Sequence, residues 1–547
     1  MNYKQIPNFT TLPRHPIKYD WFDLNTANIR LSSQLRKNKE GRLSSSGRMT
    51  NTVEGQFLKH DAYFLSSIDD ENKLNTIAAR LSKRDENGGL LGALRAYEYQ
   101  LGDVNITDLS LTGDAGQEFG FRVSNAPFNN FELQASDING NAIPGWDVEL
   151  YQNGILTSSL TVDEVGFYEF SDVQLFSGDN LFELFFYGPQ GEVRQKEINI
   201  PITAERLSAK KGSYDVSVSL SDTRTFQDNV IEDESKGTPH IVARYDKSFG
   251  NTLSYVGLRH RQVAGDNKTF LGTGFSHIFK NALLDGNFSF DKRLKKSGQI
   301  SFRKKIKDWN WSLRGFAQDK DFEVSDADLP KVLTVNSSVQ KSFVPIEGTR
   351  ANLSASAEYS RIKNEGKLYT GSLGTSFQKN RYNIGNTLFY QRDVDPLGGG
   401  QTRLNNTLSF RGSFKKSFLR TGLTYNFEPD SSIDNIFAQA NYYYSNDLSA
   451  EALFERQPER DFNRFRLGLN YVNDYFRTSP FVEIDSDNSF VAGLNVSFNL
   501  VDTPEKRLPV KKVQGEGLYH HLFILIKMET MCLITKTKYY LMFRLRA

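Results

Sequence analysis

From about residue 210 to residue 500 the chain repeats one pattern, segments of roughly ten residues in which apolar and polar side chains alternate. Across 490–500, Phe490, Ala492, Leu494, Val496, Phe498 and Leu500 share one face, and Gly493, Asn495, Ser497 and Asn499 take the other. Successive strand side chains point to opposite sides, so each segment is a strand with an apolar wall and a polar wall. Leu419, Leu423, Tyr425 and Phe427 oppose Arg420, Gly422, Thr424 and Asn426 in the same way. Phe465, Leu467, Leu469 and Tyr471 oppose Arg464, Arg466, Gly468 and Asn470, and Trp309, Trp311 and Leu313 oppose Asn310, Ser312 and Arg314. Residues 18–125 carry earlier strands around Asn28–Gln34, Thr76–Leu81, Arg95–Leu101 and Phe119–Ser124, with Asp85-Glu86-Asn87-Gly88-Gly89 as a hairpin signal. Many such strands predict an all-β fold: a large transmembrane antiparallel barrel with lipid outside and water inside. About eighteen strands follow residue 205 and five or six precede residue 128, which makes about 24. An arginine is costly at mid-membrane on the lipid face, so Arg314, Arg420, Arg464 and Arg466 are expected to face the lumen, against a plug or hydrated.

Residues 128–204 break the rhythm. Apolar runs are denser and turns closer, at Asn139-Gly140, Pro144-Gly145, Asn153-Gly154 and Gly188-Pro189. About 75 residues in six or seven short strands is the size of a small β-sandwich with its own core. Inserted into a barrel series, it is a candidate plug. Trp146, Tyr151, Phe167, Phe170, Phe182 and Phe185 are candidates for its core or sheet faces, and Asn125, Ala126, Pro127, Ile202 and Thr203 its candidate hinges. Asp137-Ile138-Asn139-Gly140-Asn141 reads as an Asx-type turn rather than a calcium loop. The organisation expected is thus 1–127 first barrel strands, 128–204 plug, 205–500 remaining barrel, 501–517 charged linker and 518–547 tail.

Composition agrees with a barrel. Mean hydropathy is only −0.50 and no apolar run reaches the length of a membrane helix, yet half of every barrel strand is polar. Phe and Tyr are abundant, 41 and 24 residues, as interfacial aromatic girdles require. Charge is balanced, 67 basic against 65 acidic residues, which gives no basic footprint for nucleic acid. One local cluster, Lys292, Arg293, Lys295, Lys296, Arg303, Lys304, Lys305 and Lys307, reads as a solvated hairpin end straddling a turn, with lipid phosphates as the lesser alternative. The single cysteine, Cys532, excludes an internal disulfide framework.

The first residues lack the apolar core of a signal peptide, and the expectation is that the protein's true start is missing. Residues 518–547 contain no Gly, Asp, Asn, Ser, Val or Pro and hold three of the five Met residues, which marks them as a frameshifted, non-native tail. Permissible codons in a neighbouring frame give an Asp/Asn/Gly-rich string that resembles the B-type repeat of bacterial surface adhesins.

No catalytic constellation emerges. The seven histidines are scattered, and no nucleophile elbow, phosphate loop or zinc spacing is present. The reading is a non-enzyme without cofactor or metal. Gly272-Thr273-Gly274 sits inside a strand pattern and reads as lumen-facing or packing glycine, and Gly398-Gly399-Gly400 as a hairpin loop.

The insert and its borders resemble the outer-membrane ushers of the chaperone–usher pathway. The resemblance lies in Val148, Gln152-Asn153-Gly154, Gly166 with Tyr168 and Phe170, Ser177-Gly178-Asp179, Gly188–Gly191 and Ile200-Pro201, then the strand restart Gly212–Leu220. Ahead of the insert it includes Leu101-Gly102-Asp103 and Phe119-Gly120-Phe121-Arg122-Val123-Ser124. It implies a barrel in the bacterial outer membrane, plugged after about its sixth strand, that exports chaperone-delivered polypeptides. A structural anchor displaying adhesin-like β-domains is the alternative. A passive porin and a soluble multi-sandwich adhesin rank below both.

Overall fold

The computed structural model describes residues 19–501 apart from 70–73, 86, 114–115, 126–134, 142–146, 153–154, 163–166, 177–179, 188–192, 201–211, 228–235, 264, 325–330, 365, 446 and 474–475. Of the tail it describes only Ile526, Lys527, Tyr540 and Leu541, so the reading of 518–547 lies outside the described residues.

Alternation of apolar and polar residues yields 24 antiparallel strands that close into one barrel. Six precede the insert, from Phe22–Lys37 to Gln117–Ser124, and the rest run from Ser213–Leu220 to Phe490–Val501. Closure comes from the first strand, which pairs on one side with Leu43–Phe57 and on the other with Phe490–Val501, in the register Ile29↔Phe498 and Leu31↔Val496. The ladder is continuous past the insert because Gln117–Ser124 pairs directly with Ser213–Leu220. A two-residue strand, Phe226–Gln227, folds back onto Thr76 and Ile77, where Leu74–Arg84 has left its neighbour Glu98–Asn105. Many strands exceed the ten residues that periodicity marks, reaching 16 in Lys331–Ile346.

The two walls follow the alternation. Leu313, Leu373, Ile384, Leu408, Leu467 and Val482 are exposed on the outer face. Their neighbours in sequence are the serines, threonines, glycines and arginines of the lumen wall. Aromatic side chains gather at both rims. At the near rim, where the first strand begins and the last ends, Trp21, Phe57, Phe249, Trp309, Tyr382 and Phe414 are exposed. Phe119, Phe427, Phe454 and Phe465 are exposed toward the far rim. Two aromatic girdles around an apolar band are what a barrel needs to sit in a bilayer. Among the described residues no helix is long and apolar enough to cross a membrane, which says nothing about strands.

The basic cluster does not straddle one turn. Lys292, Arg293 and Lys295 sit at the far rim, whereas Lys304, Lys305 and Lys307 are at the near rim. The strand Lys296–Ile306 lies between the groups, and about 3.3 Å of rise per residue puts them roughly 33 Å apart.

The insert forms two sheets. Ala135–Asn141 pairs with Phe167–Gln174, and the second sheet runs Val193–Asn199, Leu181–Tyr187, Asp147–Gln152, Ile155–Thr161. Asp137–Asn141 is therefore strand, not the expected turn. Gly140 allows this, because a Cβ there would meet the Tyr168 hydroxyl at 2.6 Å, so the ring lies over the glycine. Between the sheets Ile138, Val148, Leu150, Tyr168, Phe170, Phe182, Leu184 and Phe186 form one buried core. Burial pushes the Tyr168 phenol above its ordinary range.

Candidate functional site

The second insert sheet has two distinct faces. Val148, Leu150, Phe182, Leu184 and Phe186 enter the core. Strand alternation turns Glu149, Tyr151, Glu183 and Phe185 the opposite way, toward the barrel wall. Phe170 and Phe182 lie in the buried core. Tyr151, fully buried, and Phe185 lie on the other sheet face. They pack edge-to-face against each other, ring centroids 5.3 Å apart, on the outer side of the sheet. The backbone of Phe167 lies in its strand, and Trp146 falls outside the described residues.

The wall residues that meet this face come from distant strands. The Glu149 carboxylate, 1% exposed, accepts from the Arg411 guanidinium and from the Tyr151 hydroxyl at 2.8 Å. That hydroxyl also lies against the Gln378 side chain. Arg350 stands over the Tyr151 ring at 5.0 Å and comes within 4.0 Å of Glu183. Arg350, Gln378, Asn383, Arg411 and Arg420 form one cross-strand row on the lumen wall. A second anchor lies beside it. Arg303, buried with Asp285, donates to the Leu175 carbonyl of the insert. Asp285 is held by Ser276 at 2.7 Å and Ser301 at 3.1 Å. Apolar contact completes the seat, because the insert core runs on into Ile278 and Leu283 of the barrel. These contacts place the insert in the lumen. A cavity of about 360 Å³ remains between it and the wall, lined by Gln152, Ser158, Glu169, Asn310, Ser338 and Gln340.

Inside the insert, Asn180 fastens the end of the chain leading back to the barrel. Its Oδ1 accepts from Phe176 N at 2.7 Å and Gln152 Nε2 at 2.9 Å, and its Nδ2 donates to the Phe176 and Ile200 carbonyls at 2.7 and 3.1 Å.

A second segment also enters the lumen. The connection between Glu98–Asn105 and Gln117–Ser124 buries Ile106 and Leu109 against Val104, Val242 and Tyr255. Arg259, fully buried, donates to the Thr107 and Gly113 carbonyls, and Arg244 to the Asp108 carbonyl. Leu109 sits over Gly272, where a Cβ would come within 2.9 Å of its side chain. Gly272 is a packing glycine, which agrees with its place in the strand pattern.

Of the candidate hinges, Asn125 is tied to Tyr214 by a pair of hydrogen bonds, at 2.6 and 3.1 Å, so it prolongs the barrel ladder. Ala126, Pro127, Ile202 and Thr203 lie outside the described residues. Arg314, Arg464 and Arg466 alternate with exposed Leu313, Phe465 and Leu467, and Arg420 stands across from Arg411. Arg464 bonds Asp485 at 2.9 Å and Glu483 at 3.2 Å. Arg466 stacks over Phe481 at 4.1 Å and Arg420 over Phe437 at 5.9 Å. Of the arginines that grip the insert, Arg350 and Arg411 were not singled out by sequence, and Arg303, read there as part of a solvated basic cluster, is instead buried against the insert. Only the shared lumen row of Arg411 and Arg420 could have pointed to one of them, and that row needs the strand register.

A closed 24-stranded barrel with a β-sandwich spliced in after its sixth strand and seated in its lumen defines a plugged-barrel architecture. Among solved structures, the fold is similar to the P pilus usher (PapC) translocation pore, with a TM-score of 0.51, 14% identity, and coverage of 87% of this chain and 100% of that one. It is also similar to the E. coli P pilus tip assembly intermediate PapC-PapD-PapK-PapG, with a TM-score of 0.54, 14% identity, and coverage of 92% of this chain and 64% of that one. At such identities the likeness is one of fold. No family model and no curated protein matches the chain.

Proposed function

We propose that this protein is an usher-like pore of the bacterial outer membrane that exports or assembles surface polypeptides delivered from the periplasm, by chaperones where the usher likeness extends that far. The observation that carries the reading is a folded domain held inside a wide lumen by a few charged contacts. A barrel of about two dozen strands is too wide to be filled by its own side chains, so an unplugged one would leak. A folded insert suits a pore that opens for large cargo better than one built for steady solute flow. The contacts through Arg303, Arg350 and Arg411 are the closure; their release, with the insert moving aside, is the opening. The reading involves no catalysis and no cofactor.

The test is photocrosslinking in whole cells, with a photoreactive residue in place of Arg420 on the lumen wall. Cargo in transit gives an adduct whose partner is a secreted polypeptide. Cells that display surface fibres or adhesins without any such adduct would refute export through this lumen.

A further inference from the structure

In the near-rim part of the split basic cluster, strand alternation puts Lys305 on the lumen face with Arg303 and Lys304 on the outer face with exposed Ile300 and Ile306. There Lys304 stands directly across from Trp311, Ile306 from Trp309, and Trp309 from Lys341. The Lys341 ammonium lies 5.3 Å from the Trp309 ring centre and 5.9 Å from that of Phe343. Lys307 is in the adjoining two-residue turn, next to Asp308. Two of the chain's 4 Trp residues thus stand across the ladder from Lys304 and Lys341, with Lys307 in the turn between the Lys304 strand and theirs. Among the described residues none of these lysines makes an ion pair. Similar pairs recur along the same rim, Lys59 over Trp21, Lys83 over Tyr19 and Lys247 over Phe249, at 5.2 to 5.5 Å.

Two-residue turns dominate this rim, at 58–59, 250–251, 307–308, 347–348, 380–381 and 415–416, whereas 106–116, 221–238 and 319–330 connect strands at the far rim. Short turns mark the periplasmic side of an outer-membrane barrel. Lipid at that level presents phospholipid headgroups. Indole rings seat at the headgroup depth, and ammonium groups beside them supply charge for phosphate.

We infer that Lys304, Lys307 and Lys341, framed by Trp309 and Trp311, form a binding site for the phosphate headgroup of an anionic phospholipid in the periplasmic leaflet. This rests on the membrane-spanning reading.

The test uses the intact protein. Flotation with vesicles comes first, since failure to insert would refute the spanning reading itself. Native mass spectrometry of the inserted protein then compares phosphatidylglycerol with phosphatidylcholine. Preferential retention of phosphatidylglycerol is expected, and about fivefold of that preference is lost per lysine removed, hence on the order of 25-fold in K304Q/K341Q. K292Q/K295Q, at the far rim, should leave it unchanged. If the double variant does not insert, K341Q alone should show the fivefold loss. An inserted protein with no preference, an equal loss in K292Q/K295Q, or displacement of the lipid by inorganic phosphate at matched concentration would overturn the site.

Discussion

At the residue scale the closure rests on charges removed from water. Glu149 is buried and its compensation is Arg411 with the Tyr151 hydroxyl. Removing one member of a buried pair leaves the other uncompensated, at a cost of about 3–5 kcal/mol. Glu149→Ala should therefore raise the open fraction of the pore by roughly two to three and a half orders of magnitude, read as channel activity in planar bilayers. Arg411→Ala should do the same. The double variant should open less than the sum of the two single effects, and strict additivity would mean that the pair does not hold the insert. Asn180 makes a separate case. Asn180→Ala strands the buried Phe176 N–H and carbonyl, while the Ile200 carbonyl keeps the Asn180 N–H, and should cost the insert about 1–3 kcal/mol. Faster proteolysis within 128–204, with the barrel intact, is the expected reading. Unchanged proteolysis would show that these bonds hold nothing in place.

At the scale of elements, packing inside the lumen depends on absent side chains. Gly272 lets Leu109 lie flat on the wall. Gly272→Ala should push the 106–113 segment off its seat at a cost of about 1–3 kcal/mol, detected as faster hydrogen exchange there. Leu109→Ala in the same chain should restore much of the loss, and failure to do so would mean the wall, not the segment, is disturbed. Alternation made the strands legible, since Phe490 to Leu500 and Phe465 to Tyr471 needed only period two. It also placed Gly272 correctly. It could not show which face of an insert strand meets its core and which meets the barrel, so it left Tyr151, Phe170, Phe182 and Phe185 together as core or sheet-face candidates. Asn139-Gly140 has the composition of a turn, and only the Tyr168 ring explains its extended backbone. The basic cluster read as one group because sequence proximity hides the length of a strand. The 106–113 segment has no periodicity, and its buried leucine gives no signal of its own.

At the scale of the whole molecule, the decisive contacts join residues far apart in the chain. Glu149 meets Arg411 and Leu175 meets Arg303 only because the barrel closes around the insert. Such pairs follow from the strand register, which no local pattern contains. Two aromatic girdles and an apolar belt suit the barrel to a bilayer, and the same closure that makes the lumen wide leaves the insert and the 106–113 segment inside it. Occlusion of a transmembrane lumen by residues 128–204 is therefore the central claim. Single-channel recording in planar bilayers tests it most directly, with the intact chain beside a chain lacking those residues. The intact protein should stay mostly closed, and the deletion should give a large, steady conductance. Equal conductance from both, or insertion by neither, would contradict it.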